Sequence, residues 1–523
     1  MLSPASMSVS GIAQPSPQNA QRLSWVHWIA LALVALTIAT SGVVFSEPAP
    51  VDVLTIGLIV LLPTVGLAVF NPTLVAFFSL WGLAAAAAVL AATFSLDLKT
   101  TLTHVAVTVY LYLAAVVLAG FVAKNPIAHT RLIYAAWTFA AVVAAGAALA
   151  GYFGLLPGAA ELFTKYGRAS GTFKDPNVFG PFLVAPILYM AHVALERSWT
   201  RMLVPLAVAG FLALAVLLSF SRGAWMNLAA ATAIYGYIML LTSPRAGTRV
   251  KLVALLIALA IVSVGLIAVA LTSDTISNML SERASLAQSY DTGPEGRFGG
   301  QAKAIELIAE NPLGIGALEF SQRHHTEDVH NVYLSMLLNA GWLGGAIYWI
   351  MVGLTLILGF RFALKAQPTR PLFVIAYSAF VAVALEGLIV DTDHWRHFYL
   401  LMAIIWGLMS ARGRRLPPSH PSSHARHPTP ARLPSPPTKR PCAVKTALFV
   451  LQVFSGGSAL THACGSIGIA ACTVGLHNIS FSDGRSIQMD MTTAWAQNFL
   501  IDLIRCKDSN PIMWIAPPSG TLS

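Results

Sequence analysis

The densest run of ionisable side chains in this chain is "RHHTEDVHN" (323–331), set directly ahead of an apolar stretch. His330 closes that run. A neutral imidazole, with an ordinary pKa of about 6.5, is suited to accept a proton from a hydroxyl near neutrality. Two other readings of the same residue stand beside it. One is a hydrogen-bonded histidine at a helix mouth, and the other is a zinc ligand acting with His324, His325 and Asp328. The spacing puts no two of these histidines on one helix face, because a helix start falls between His325 and His330. The metal reading is therefore set aside, and no metal is expected.

Cationic groups gather near the same side of the chain. Arg222 sits in "SFSRGAW" (219–225), between two apolar runs and with no acid beside it. Arg168 and Lys174 lie in "YGRASGTFKDPNVFGPF" (166–182), ahead of an apolar run starting at Asn177, and Arg297 opens an amphipathic stretch. An arginine at a membrane boundary commonly snorkels to the headgroups. A charge near hydrocarbon costs on the order of 2.5–3.5 kcal/mol and usually has a partner. Several guanidinium groups beside helix N-termini at Asn177 and Asn331 suit an anion such as a diphosphate.

These groups must be held by membrane helices. The 523 residues are 56% hydrophobic and 10% charged, against about 25% charged in soluble domains. Runs of about 20 apolar residues, enough to cross a bilayer, recur near 25–45, 52–70, 73–94, 103–122, 131–151, 177–195, 202–220, 223–241, 250–271, 331–360, 371–391 and 396–410. The expected fold is an all-α polytopic membrane protein with about 12 transmembrane helices. The first run is too long, and lacks a clear small-residue cleavage site, for a signal peptide. Positive residues favour cytoplasmic loops. With the N-terminus inside, Lys124, Arg131, Arg197, Arg201, Arg245, Arg249, Arg361, Arg370 and Arg412 all fall inside, and acids such as Glu47, Asp97, Glu327 and Asp391 fall outside. Both termini are thus expected in the cytoplasm. The net charge of +10 follows from this bias and a basic tail, and is no argument for nucleic acid binding.

Residues 1–24 read as a cytoplasmic segment and 25–411 as the transmembrane domain. Two outer segments, 151–180 and about 272–330, exceed ordinary connector length. Within the second, "GRFGGQAKAIELIAENPLGIG" (296–316) predicts a helix ended by Asn311-Pro312, with Phe298, Ala302, Ile305 and Ile308 as its apolar stripe. Residues 412–441 are rich in Pro, Ser, His and Arg and read as a disordered linker. The tail 442–523 is mixed in composition; its Gly, Ser and Thr content over 455–477 disfavours a thirteenth span. All four cysteines lie there, in no zinc-binding spacing.

In their order, "SGTFKDPNVFGPFL" (170–183), "SFSRGAW" (219–225), "GRFGGQAKAIELIAENPLGIG" (296–316) and "VHNVYLSMLLNAGWLGG" (329–345) make residues 20–410 resemble the bacterial O-antigen ligase and polymerase family. The resemblance implies a GT-C-like bundle in the bacterial inner membrane with a periplasmic active site. It implies a donor glycan on undecaprenyl diphosphate and an acceptor hydroxyl on lipid A core or on a growing polysaccharide. Arg222 and Arg297 would hold the diphosphate, with Arg168 and Lys174 as further candidates and Asn177 and Asn331 in support. His330 would be the general base. No cofactor is expected, because the lipid diphosphate is already an activated donor. A transporter for a lipid-linked solute is the rival class, but it should place charge at mid-membrane and often shows a repeat. A non-catalytic subunit of a polysaccharide assembly complex is a third reading.

Overall fold

The computed structural model describes residues 17–270, 293, 296–411 and five strand segments beyond residue 447, with side chains described over 25–258, 293 and 296–411. Residues 1–16, 271–292 and the linker 412–441 lie outside the described residues, as does most of the 442–523 tail. The chain divides into two compact units, Met1–Pro417 and Pro418–Ser523.

Each of the twelve apolar intervals coincides with a helix in the first unit. These are α1 (Pro17–Thr40), α2 (Pro50–Thr64), α3 (Pro72–Ala92), α4 (Leu98–Lys124), α5 (Pro126–Tyr152), α7 (Pro176–Glu196), α8 (Leu203–Leu218), α9 (Arg222–Thr242), α10 (Ala246–Ala270), α13 (Val332–Ala363), α14 (Arg370–Glu386) and α15 (Arg396–Ser410). The short α6 (Ala159–Phe163), the outer helix α11 (Arg297–Glu310) and α12 (Glu319–Arg323) complete the described set. Six helices, namely α3, α4, α5, α7, α9 and α13, are long and apolar enough to cross a membrane. Others are shorter. The 15 residues of α2 span about 22 Å, against a hydrocarbon core of about 30 Å. Large apolar side chains such as Ile56, Phe139 and Tyr237 are exposed on the outer surface of the bundle, as lipid-facing helices require.

The centre of the bundle is α15. Its residues from His397 to Leu408 are buried all round, and it lies chiefly against α4. Aromatic contacts fix it there: Trp406 stacks on Phe77 of α3, with ring centroids 3.6 Å apart. Tyr399 meets both Trp81 and Tyr112.

Two departures from the expected intervals bear on the site. The 371–391 interval stops being helical at Glu386, so Asp391 falls in a connection (387–395) rather than a span. The 331–360 interval is not one helix but two, broken at Gly341 (φ 68°, ψ −178°). The Trp349 indole N–H donates to the Tyr333 carbonyl at 3.0 Å, although 16 residues of straight helix would hold those positions about 24 Å apart. Residues 332–340 therefore fold back against 342–350. Glycine permits the close approach: a Cβ on Gly345 would lie 2.5 Å from the Leu337 side chain. Freed backbone groups at the break are taken up by the outer segment, as Trp342 N–H donates to Pro312 O and Ile315 N–H to Leu338 O.

The segment 151–180 is described throughout. A hairpin pairs β1 (Thr164–Lys165) with β2 (Arg168–Ala169), and its turn residues Tyr166 and Gly167 both have positive φ (56° and 70°). That is the two-residue turn whose twist suits antiparallel strands. In the second unit the described strands are β3 (Leu448–Val453), β4 (Ala470–Val474), β5 (Asn478–Phe481), β6 (Ser486–Gln488) and β7 (Asn510–Ile515), in the sheet order β6-β5-β4-β3-β7. The β3 strand is parallel to both neighbours.

Candidate functional site

The hairpin turns Arg168 inward. Its side chain is 8% exposed, donates through Nε to the Ser219 carbonyl and through Nη2 to Asn177 Oδ1, both at 2.8 Å. Asn177 Oδ1 also accepts from the Ser221 hydroxyl at 2.8 Å. The helix carrying Asn177 opens one residue earlier than its sequence suggests, at Pro176, with Asp175 as its cap. Ser221 caps α9, and Arg222 is the first residue of that helix, half-buried. Arg168 and Asn177 are thus anchored to the turn that presents Arg222.

Behind Arg222 the backbone of Gly223 lies against Glu386, the last residue of α14; a Cβ there would sit 2.4 Å from Glu386 Oε1. Asn227 Nδ2 donates to the other oxygen of that buried carboxyl at 2.7 Å. One residue on, the Gly387 carbonyl accepts from Val332 N–H at 2.9 Å. This turn therefore joins the start of α9 to the start of α13, where His330 and Asn331 lie.

Asn331 caps α13, accepting from the N–H groups of Tyr333 and Leu334. His330 has φ 53°, a left-handed conformation uncommon outside glycine; such strain, about 1–3 kcal/mol, persists where the surroundings over-determine it. His330 N–H donates to Asp391 Oδ2 at 2.9 Å, and its carbonyl accepts from Gln301 of α11 at 3.3 Å. Asp391 Oδ1 accepts from the Ser335 hydroxyl at 2.5 Å. Burial and the neighbouring Asp393 charge push the Asp391 carboxyl up to about 7, against the hydrogen bonds from Ser335 and His330. The imidazole itself is partly open, with Nε2 3.5 Å from Glu327. Burial holds its pKa below the ordinary range, assisted by the Arg297 charge and opposed by Glu327 and Asp328. That direction favours the neutral imidazole.

Arg297 opens α11 after Gly296, as expected, and is half-buried. The packed stripe of that helix differs from expectation by about one residue. Gly300, Ala304 and Leu307 face the protein, and Phe298 and Ile305 are exposed. The reason is His325, whose ring lies over Gly300 and stacks on Phe320 at 5.6 Å, so a residue with no side chain marks the buried face. His325 is therefore a packing residue rather than a solvated one, whereas His324 is exposed. Lys174 stands apart from the other cations; it is about half exposed and pairs with Glu47 at 3.6 Å. Asp391, Gln301, Ser335 and Glu386 were absent from the sequence-derived site.

Residues 206–349 match the family model described as O-antigen ligase. Over this segment the chain is similar to that family. The segment contains Arg222, Arg297, His330 and Asn331, and leaves out Arg168, Lys174, Asn177 and Asp391. No curated protein matches the chain. Outside the matched segment, His104, Asp393 and His394 bring ligand atoms within 4.8 Å of one another, a different set from the histidines considered for metal in the sequence.

Proposed function

We propose that the chain is an inverting, metal-independent glycosyltransferase that moves a glycan from undecaprenyl diphosphate to an acceptor hydroxyl at the periplasmic face of the bacterial inner membrane. In this reading about twelve helices cross the membrane and both termini are cytoplasmic. The observation that carries it is the backbone-anchored His330, whose imidazole feels the Arg297 charge, both within the matched residues 206–349.

The acceptor oxygen attacks the anomeric carbon and gives its proton to the His330 imidazole. The bond from that carbon to the diphosphate oxygen breaks, and the electron pair leaves with the lipid diphosphate. Arg222 and Arg297 receive the charge that develops on the leaving group, where fixed cations in a poorly hydrated cleft contribute most. Arg168 acts through Asn177 and Ser221 to fix the Arg222 turn, and Asp391 fixes the His330 backbone.

Replacing His330 with Ala tests the assignment. Loss of a general base lowers transfer by about 10²–10⁴-fold, read as surface polysaccharide on a gel at equal protein level. Transfer at the parental rate rejects the base. In a strain lacking the gene, absence of the polysaccharide ladder from lipid A marks a ligase, and accumulation of single-repeat products marks a polymerase.

A further inference from the structure

A second cluster lies between α4 and the connection 387–395. His104 and His394 stack with centroids 3.9 Å apart and planes 23° apart, and His104 Nε2 is 3.4 Å from Asp393 Oδ2. The Thr108 hydroxyl lies 2.8 Å from His394 Nε2 and holds that ring in place. The Tyr399 hydroxyl donates to the Asp393 carbonyl at 2.5 Å, fixing the backbone of the third member. Both histidines line a cavity of about 650 Å³ shared with Asp52, Lys99, Tyr110 and Arg396.

We propose that His104, Asp393 and His394 form a binding site for a first-row transition-metal dication of the zinc class, which ties α4 to the 387–395 connection. The three ligand atoms lie within 4.8 Å of one another; a tetrahedral shell with zinc–donor bonds of about 2.0–2.2 Å puts donors about 3.3 Å apart. The His104–Asp393 pair, at 3.4 Å, is already at that spacing. Two imidazoles with one carboxylate select zinc-class ions, whereas calcium and magnesium take all-oxygen shells. The Arg396 charge reaches His394 but is balanced by a bound acid. Arg396 is held by Asp52 through two bonds of 2.7 Å, and Lys99 and Glu47 both line the cavity. Three protein ligands leave a fourth position open toward the cavity, for water or an oxygen of a bound molecule. The ion takes no part in the transfer step proposed above, and the two readings stand or fall separately. Its role is positional, because the connection it would tie down also carries Asp391, which holds His330.

The test uses the full-length protein in detergent with Zn²⁺ alone, titrated by calorimetry, and with Co²⁺ as a spectroscopic probe. His420, His424 and His427 in the linker are replaced by Ala, and Cys442, Cys464, Cys472 and Cys506 by Ser, in every sample, so that these groups do not contribute. One ion per chain is expected, with a tetrahedral Co²⁺ absorption displaced by Zn²⁺. His104→Ala and Asp393→Asn each weaken binding by at least about tenfold, the loss that even an outer-shell partner brings. His324→Ala leaves it unchanged. Near-native elution and helicity establish that each variant is folded; if His104→Ala is not, Asp393→Asn decides. No saturable binding, or binding unchanged in the folded variants, overturns the site.

Discussion

Gly341 is where a single methyl group should do most damage. Its φ of 68° with ψ of −178° lies in a region open essentially to glycine, at a cost of about 1–3 kcal/mol for another residue. A Cβ there would also lie 2.6 Å from the Leu313 carbonyl carbon and 2.8 Å from the Leu313 and Pro312 oxygens. Those are backbone atoms, which cannot rotate aside, and overpacking of this kind costs about 1–3 kcal/mol more. Gly341→Ala should therefore cost about 2–6 kcal/mol in total. The strain falls on the fold-back that carries His330, and misplacing a reacting group by about 1 Å costs about 10²-fold in rate. The assay is glycan transfer together with the midpoint for loss of monodisperse protein on heating. Gly353→Ala is the control, because nothing lies within 4 Å of its Cβ position; it should be neutral or stabilise by up to about 1 kcal/mol. If Gly341→Ala matches Gly353→Ala in both measurements, the broken helix and its fold-back are wrong.

Three further outcomes are expected. Arg297→Gln removes a charge that depresses the His330 pKa; transfer needs the neutral imidazole, so the acid limb of the rate profile should move to higher pH. A limb that stays put would separate Arg297 from His330. Lys174→Ala should change transfer little, because its exposed pair with Glu47 is worth at most about 1 kcal/mol; a large loss in a transfer assay would return Lys174 to the anion site. Glu319 accepts from Ser95 Oγ and the N–H groups of Leu96 and Asp97 and pairs with Arg323. Glu319→Ala leaves those donors unmatched, at about 1–3 kcal/mol, and should speed proteolysis near 310–325 relative to the parent.

Local patterns were legible where local physics decides them. Apolar length placed the helices, Asn311-Pro312 marked the end of α11, and Asn331 was readable as a helix start. What was missed depends on residues distant in the chain. Asp391 reaches His330 across 61 positions, and its apolar surroundings disguised it as the end of a span. Gly341 looked like a small residue inside a membrane helix, since nothing nearby reveals that residues 312–315 complete its backbone bonding. The stripe on α11 was offset because apolar periodicity counts side chains, and the buried face there is marked by Gly300.

The matched segment 206–349 brings Arg222, Arg297 and His330, but the groups that hold them come from elsewhere. Asn177 and Arg168 precede it, and Glu386 and Asp391 follow it. Recombination that swapped only this segment between related genes would transplant the proposed reacting groups without their supports. The heritable unit of this chemistry is therefore larger than its recognisable signature: it runs at least from the 164–169 hairpin to the 387–395 connection. Divergence in the flanks must then stay matched to the middle, which makes compensating pairs such as Asn177–Ser221 and Asp391–Ser335 the places to look for co-inheritance.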